Sequence, residues 1–425
     1  MPAESADLRI DAHCIVSMSA RGQLLEGHSL LVRDGRILDI LPTAQALHRY
    51  HATLVVERGS HVLIPGLIDG HAQAALSLRH LIDARGEAQN THLSADFAHD
   101  SVSRAIAAML KSGTTCFVDR SYFPADTARA VQEQGVRAVI GLPVTGSPST
   151  WAETAAEYLS RALQLRDEYR SHPLISTVFA PLHVNQLDDD TFARLSMLAN
   201  ELDAGIVLDA HASPREIAES ESLHGTRPLA RLAALGLLSP SLNAVHMNTL
   251  DAADLELAER TGISICACPH AGMQMAGAPP PLKRFLEAGL RVSLGTASAV
   301  SLNFDVRSEL KLSAALLQTS QPPSPHQAWD ILALATCGAA AALGLDADVG
   351  TLQSGKWADL CCIDVSTPAA FTSTDPLEAA LFGGGISDVW VAGRQLVANG
   401  ELTRLDWAGL VSKTASWRAI MMQAG

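Results

Sequence analysis

The sequence predicts an α/β fold: a (β/α)8 TIM barrel with a small β-sandwich domain built from both termini. Three observations carry this expectation. Short apolar runs of strand length alternate with helical patterns through the middle of the chain. Strand-rich segments flank that middle on both sides. The 425 residues, 48% of them hydrophobic, suffice to bury one large core and a smaller satellite. The expected boundaries are 1–62 for the N-terminal part of the β-domain, 63–345 for the barrel, and 346–425 for the rest of the β-domain with a C-terminal helix.

Taken in order, residues 7–62 read as short strands, with Asp34-Gly35 between apolar runs as a strong hairpin signal. An apolar run from Val62 to Ile68, kinked at Pro65-Gly66, then leads to His71 and Gln73. Residues i and i+2 of a strand share a face, so these two are expected to point the same way. Further strands are expected at 114–118, 138–142, 176–180, 205–209, 243–246, 264–268 and 291–295, making eight with the run before His71. Helical patterns lie at 99–111, 125–134, 151–170, 189–202, 226–235, 250–261 and 280–288. In the fourth, Phe192, Leu195, Leu198 and Leu202 form the apolar stripe. Crossovers of this length suit parallel pairing, and eight even units favour a barrel over a doubly wound sheet. Residues 358–365 and 388–397 are strands again.

Composition excludes several functions. A net charge of −14 disfavours nucleic acid and anionic membranes as partners. Seven cysteines fall in no zinc-ribbon or CxxC spacing, as expected of reduced thiols. No signal-peptide pattern opens the chain, and no apolar run reaches the roughly 20 residues that span a bilayer. A soluble, cytoplasmic protein is expected.

Barrel chemistry collects at the C-terminal strand ends. Those ends offer His71 and Gln73, Asp119 and Arg120, His183, Asp209 and His211, His246, His270, and Ala297. A lone histidine there is more often a local hydrogen-bonder than a ligand; several converging on one mouth are harder to dismiss. Asp119-Arg120 reads as a strand-end ion pair, and Met273 with Met275 as pocket lining or core. Cys266 and Cys268 read as small buried hydrophobes, and 298–303 as a loop.

Several longer words carry a resemblance. They are Pro65-Gly66-Leu67-Ile68-Asp69, His224-Gly225-Thr226-Arg227-Pro228-Leu229, Ala244-Val245-His246-Met247, Leu294-Gly295-Thr296 and Gly350-Thr351-Leu352 continuing to Leu360. In this order the chain resembles the amidohydrolase superfamily and its triazine/nucleobase group, looking most like the 5′-methylthioadenosine and S-adenosylhomocysteine deaminases. The resemblance implies metal-assisted hydrolysis of non-peptide C–N bonds on a nucleoside-like or heterocyclic small molecule, in a homo-oligomer. It also implies an HxH pair, a fifth-strand histidine, an eighth-strand aspartate and a glutamate proton shuttle. Against that pattern His71 and His246 match. Gln73 replaces the second histidine, Asp209 stands for the fifth-strand ligand, Ala212 for the shuttle, and Ala297 for the aspartate. The words around His183 and His270 are also altered, and the segment 82–92 looks shortened.

These departures lead to the expectation that the family zinc or iron site is lost, with no metal and no cofactor bound. Three readings follow. One is a non-catalytic relative that binds a small molecule or pairs with an active paralogue. Another is a metal-free acid/base enzyme using His71, Asp209, His211 and His246, with Gln73, His183, His270 and Met273 on the substrate. A third is an altered metal cage of His71, Asp209 and His246.

Overall fold

The computed structural model describes residues 4–78, 94–297, 304–318, 327–370 and 373–423. The segment 82–92 and residues 298–303, on which two of the expectations fall, lie outside that set. The chain divides into two compact units: Met1–Ile68, Met109–Cys116 and Asp305–Leu405 form one, and Asp69–Ala108, Phe117–Phe304 and Asp406–Gly425 the other.

The first unit holds a mixed sheet of nine strands to which both ends of the chain contribute. Glu4–Ile15 alternates buried and accessible positions, placing Leu8, Ile10 and Ala12 in a core with Leu30, Val32, Leu63, Leu360 and Trp390. It pairs antiparallel with His28–Arg33 and parallel with Tyr50–Pro65. The C-terminal strand Leu360–Asp364 then adds antiparallel to Tyr50–Pro65, with Cys362 opposite Leu63. The expected hairpin is present. Asp34 and Gly35 both have positive φ between the paired Arg33 and Arg36, as a two-residue turn of matching twist requires.

The other sheet has eight strands in sequence order. They are Leu67–Asp69, Thr114–Arg120, Arg137–Val144, Ile175–Pro181, Ile206–Ala210, Leu242–His246, Ser264–Ala267 and Arg291–Leu294. The second and third are buried at every position, the pattern of parallel strands covered on both faces. The first and eighth strand ends meet: Gly70 N–H donates to Leu294 O (2.8 Å) and Ala297 N–H to His71 O (2.8 Å). A Cβ on Gly295 would fall 2.8 Å from His71 Cβ, so glycine permits this approach.

The helices start where side chains can satisfy their free N–H groups. Thr154, Asp188, Ser213 and Asp251 each accept from the backbone N–H three residues on. The buried face of Asp189–Glu201 is Phe192, Leu195, Ser196 and Ala199, so the expected stripe is only half right. Steps of six residues rotate Leu198 partly off the core, and Leu202 caps the helix. Several helices escaped the sequence pattern, among them Thr43–Arg49 within the stretch read as strands, Pro214–His224, Pro269–Met275 and Val306–Gln318. The C-terminal helix Trp407–Gln423 packs in the second unit, where Trp417 meets Phe97 edge to face and shares Asp100 with Lys413. No helix among the described residues is long and apolar enough to cross a membrane.

Candidate active site

The site begins with a buried carboxylate. Asp69 ends the first barrel strand; its Oδ1 accepts from the N–H groups of His71 (3.1 Å) and Thr296 (3.1 Å), and its Oδ2 from Thr296 Oγ1 (2.7 Å). One side chain thus ties the two strand ends that close the ring, and its charge is met by oriented donors. Asp119 does the same for the other flank, accepting from Ala74 N–H, Thr127 Oγ1 (2.8 Å) and Ser121 Oγ (3.3 Å). The segment carrying His71 is therefore held from both sides.

Against this frame His71, Asp209 and His246 converge, each offering a ligand atom within 4.8 Å of the other two. His246 Nε2 lies 3.9 Å from Asp209 Oδ1, and the imidazoles stand edge to face with centroids 5.8 Å apart. Both nitrogens of His71 and Nδ1 of His246 are buried with no hydrogen-bond partner. Burial pushes the His71 imidazole down to about 3, and lowers His246 as well, so both rings are neutral with lone pairs to offer. Burial works to raise Asp209, but the Arg120 guanidinium outweighs it and holds the carboxyl below the usual carboxylate range.

Arg120 was not foreseen in this role. Rather than pairing with Asp119, it crosses to Asp209: Nη1 contacts Oδ1, and Nη2 donates to Oδ2 at 3.2 Å. Neighbouring strand residues face opposite sides, so Asp119 and Arg120 could not have paired with each other in a regular strand. That rule was the available signal. Glu216 was also missed. Its carboxylate accepts from the N–H groups of His211 (2.8 Å) and Ala212 (3.2 Å), and burial pushes it up to about 7. Ser213-Pro214-Arg215-Glu216, a helix-start signature directly after a strand, would have located it.

The remaining candidates separate. His211 does not join the cluster. Its backbone turns to φ 53° after the strand ends at Ala210, and its Nε2 accepts from Leu229 N–H (3.1 Å) while Nδ1 faces Thr249 O (3.4 Å) and Asp254 (3.6 Å). Gln73 is half-buried with φ 53°; the strand stops at Asp69, so the two-residue alternation no longer relates it to His71. His183 lines a cleft of about 410 Å³ together with Asp209, Ala212, Glu216, Glu219 and Met275. His270 sits at the second position of Pro269–Met275, half-buried, and Met273 is exposed, leaving Met275 as the methionine of the cleft.

Two neutral imidazoles and an ionised carboxylate form a donor set suited to zinc or iron(II). The orphaned nitrogens of His71 and His246 are the observation that favours a bound ion, since buried polar atoms otherwise find partners.

Comparison with known proteins agrees. The chain is 34% identical to the 5-methylthioadenosine/S-adenosylhomocysteine deaminase of Teredinibacter turnerae over 97% of each chain. A zinc-bound adenosine deaminase structure from Xanthomonas campestris superposes with a TM-score of 0.94 at 32% identity, covering 99% of this chain and 100% of that one. The zinc complex of atrazine chlorohydrolase TrzN from Arthrobacter aurescens shares the fold, with a TM-score of 0.87 at 19% identity over 97% and 100% of the two chains. These findings correct the expectation of a chain without a metal or cofactor. Two of the grouped residues, His71 and His246, match the family pattern, and the fold brings the substituted Asp209 to within ligand distance of both, as the third of the three readings expected. Residues 62–396 match the amidohydrolase family, and the chain belongs to it.

Proposed function

We propose that this protein is a metal-dependent hydrolase of a C–N bond on a nucleoside-like or heterocyclic small molecule, with the ion held by His71, Asp209 and His246. The observation that carries the reading is the convergence of those three groups, with both ring nitrogens of His71 and Nδ1 of His246 unpartnered. An ion held there supplies Lewis-acid chemistry and brings a water within reach of neutral-pH ionisation. The protein's own residues do the rest. Asp209 and Glu216 line one cleft, together with His183 and Met275, and an apolar edge beside polar groups suits a flat heterocycle. Glu216, with a carboxyl near 7, can hold a proton at its Oε atoms around neutral pH and pass it to a leaving nitrogen. It takes the role that the family pattern assigns to the position of Ala212.

The relatives suggest the substrates to try: 5-methylthioadenosine, S-adenosylhomocysteine and adenosine. The test is elemental analysis of protein loaded with zinc and desalted, followed by ammonia release from each compound. One ion per chain and ammonia release that disappears in His71→Ala are expected. Protein that retains no ion and releases no ammonia rejects the proposal. The homo-oligomer expected of the family is part of the same reading, and light scattering against the 44.9 kDa chain mass checks it.

A further inference from the structure

The most unusual group at the barrel mouth is a second cation built into the protein. Arg120 ends the second strand, its side chain is only 2% exposed, and its guanidinium covers both oxygens of Asp209, the one anionic member of the ligand set. Its outer edge is held too, since Nη2 lies 3.3 Å from Leu182 O and 3.5 Å from Pro181 O. A buried guanidinium anchored on two sides does not swing away as an exposed lysine would.

We infer that Arg120 is a resident counter-cation that competes with a metal ion for Asp209 and thereby sets how tightly the site holds it. The inference rests on the metal-binding reading above. A carboxylate has about four lone-pair positions, so two remain when a forked guanidinium takes the others. An incoming divalent ion can share Asp209, but it then sits close to a fixed positive charge in a poorly screened setting, and the repulsion weakens it. Without the ion, Arg120 keeps Asp209 ionised and in place. Arg120 is thus a positioning residue acting through Asp209. Its charge favours a ready carboxylate and disfavours a permanently held ion.

The experiment is a zinc affinity measurement by chelator competition on the full chain, comparing wild type, Arg120→Gln, Arg120→Lys and His71→Ala. Arg120→Gln keeps a donor to Asp209 and removes the charge, so zinc should bind about tenfold tighter or more, equal to about 1.4 kcal/mol. Arg120→Lys keeps a positive charge but loses the fork, so its zinc affinity should lie between those of wild type and Arg120→Gln. His71→Ala should bind far more weakly than wild type. A merely structural Arg120 gives the opposite sign, because a loosened Asp209 binds zinc less well. Wild type that binds zinc alongside an Arg120→Gln that binds no tighter overturns the inference alone. Zinc binding by neither protein overturns it together with the metal-binding reading. If Arg120→Gln is too unstable to titrate, thermal melts replace the titration. Zinc should then raise its Tm by more than it raises that of wild type, and an equal or smaller rise overturns the inference.

Discussion

His71 is fully buried with both ring nitrogens unpartnered, and each buried polar atom left so costs about 1–3 kcal/mol. A bound ion removes part of that cost, so His71→Ala should lower zinc affinity by at least the roughly 10–100-fold seen for groups one step further out; chelator competition reads it. Glu216 gives a pH prediction. Its folded-state pKa, about 7, lies above the ordinary 4.5, so the native state holds this proton longer than the unfolded chain does. The stability it contributes is full below the lower value and falls as pH rises through the upper one. Between those limits wild type should lose up to about 3 kcal/mol more than Glu216→Gln, measured by urea unfolding across the range. At this scale His71, Asp209 and His246 could be found from strand ends alone. Arg120 could not be found without asking which way each neighbour faces, and His211 misled because its backbone leaves the strand at φ 53°.

Among elements, the barrel strands were legible because buried parallel strands are short unbroken apolar runs, such as Arg137–Val144. Pro214–His224 was not, because its sequence is mostly polar and its first turn is defined by Ser213 and Glu216 rather than by an apolar stripe. The C-terminal helix carries an anchor that a sequence pattern does not reveal. Asp100 accepts from Lys413 Nζ (2.7 Å) and Trp417 Nε1 (2.9 Å), contacts made across more than 300 residues of sequence. Asp100→Ala leaves the indole N–H without its acceptor and should cost about 1–2 kcal/mol. Hydrogen exchange within Trp407–Gln423 should then quicken, while the exchange of the first unit's sheet stays unchanged.

For the whole molecule, the paired strand-rich ends were visible as repeated apolar runs, and their joining into one sheet follows from Cys362 lying opposite Leu63. Which of the strand-end candidates come together was harder to see, because sequence spacing does not say that His211 turns away while His71, Asp209 and His246 lie within 4.8 Å of one another. An ion that binds only the folded chain stabilises it by mass action, about 2.7 kcal/mol at a hundredfold excess over Kd. Zinc should accordingly raise the Tm of the purified protein and EDTA reverse the rise. His71→Ala should show neither effect, as calorimetry will record.

Gln73, His211, His246, Met247 and Ala297 all carry positive φ, and all lie just beyond or at the ends of barrel strands. Alanine gains nothing from such a conformation, whereas aspartate tolerates it through local hydrogen bonding. At 42° Ala297 occupies a backbone better suited to the aspartate of the family pattern than to itself. Gln73→His, Asp209→His, Ala212→Glu and Ala297→Asp would together install the side chains that the family pattern implies, and the last of these changes should cost the fold little, since it puts a tolerant residue on a left-handed backbone.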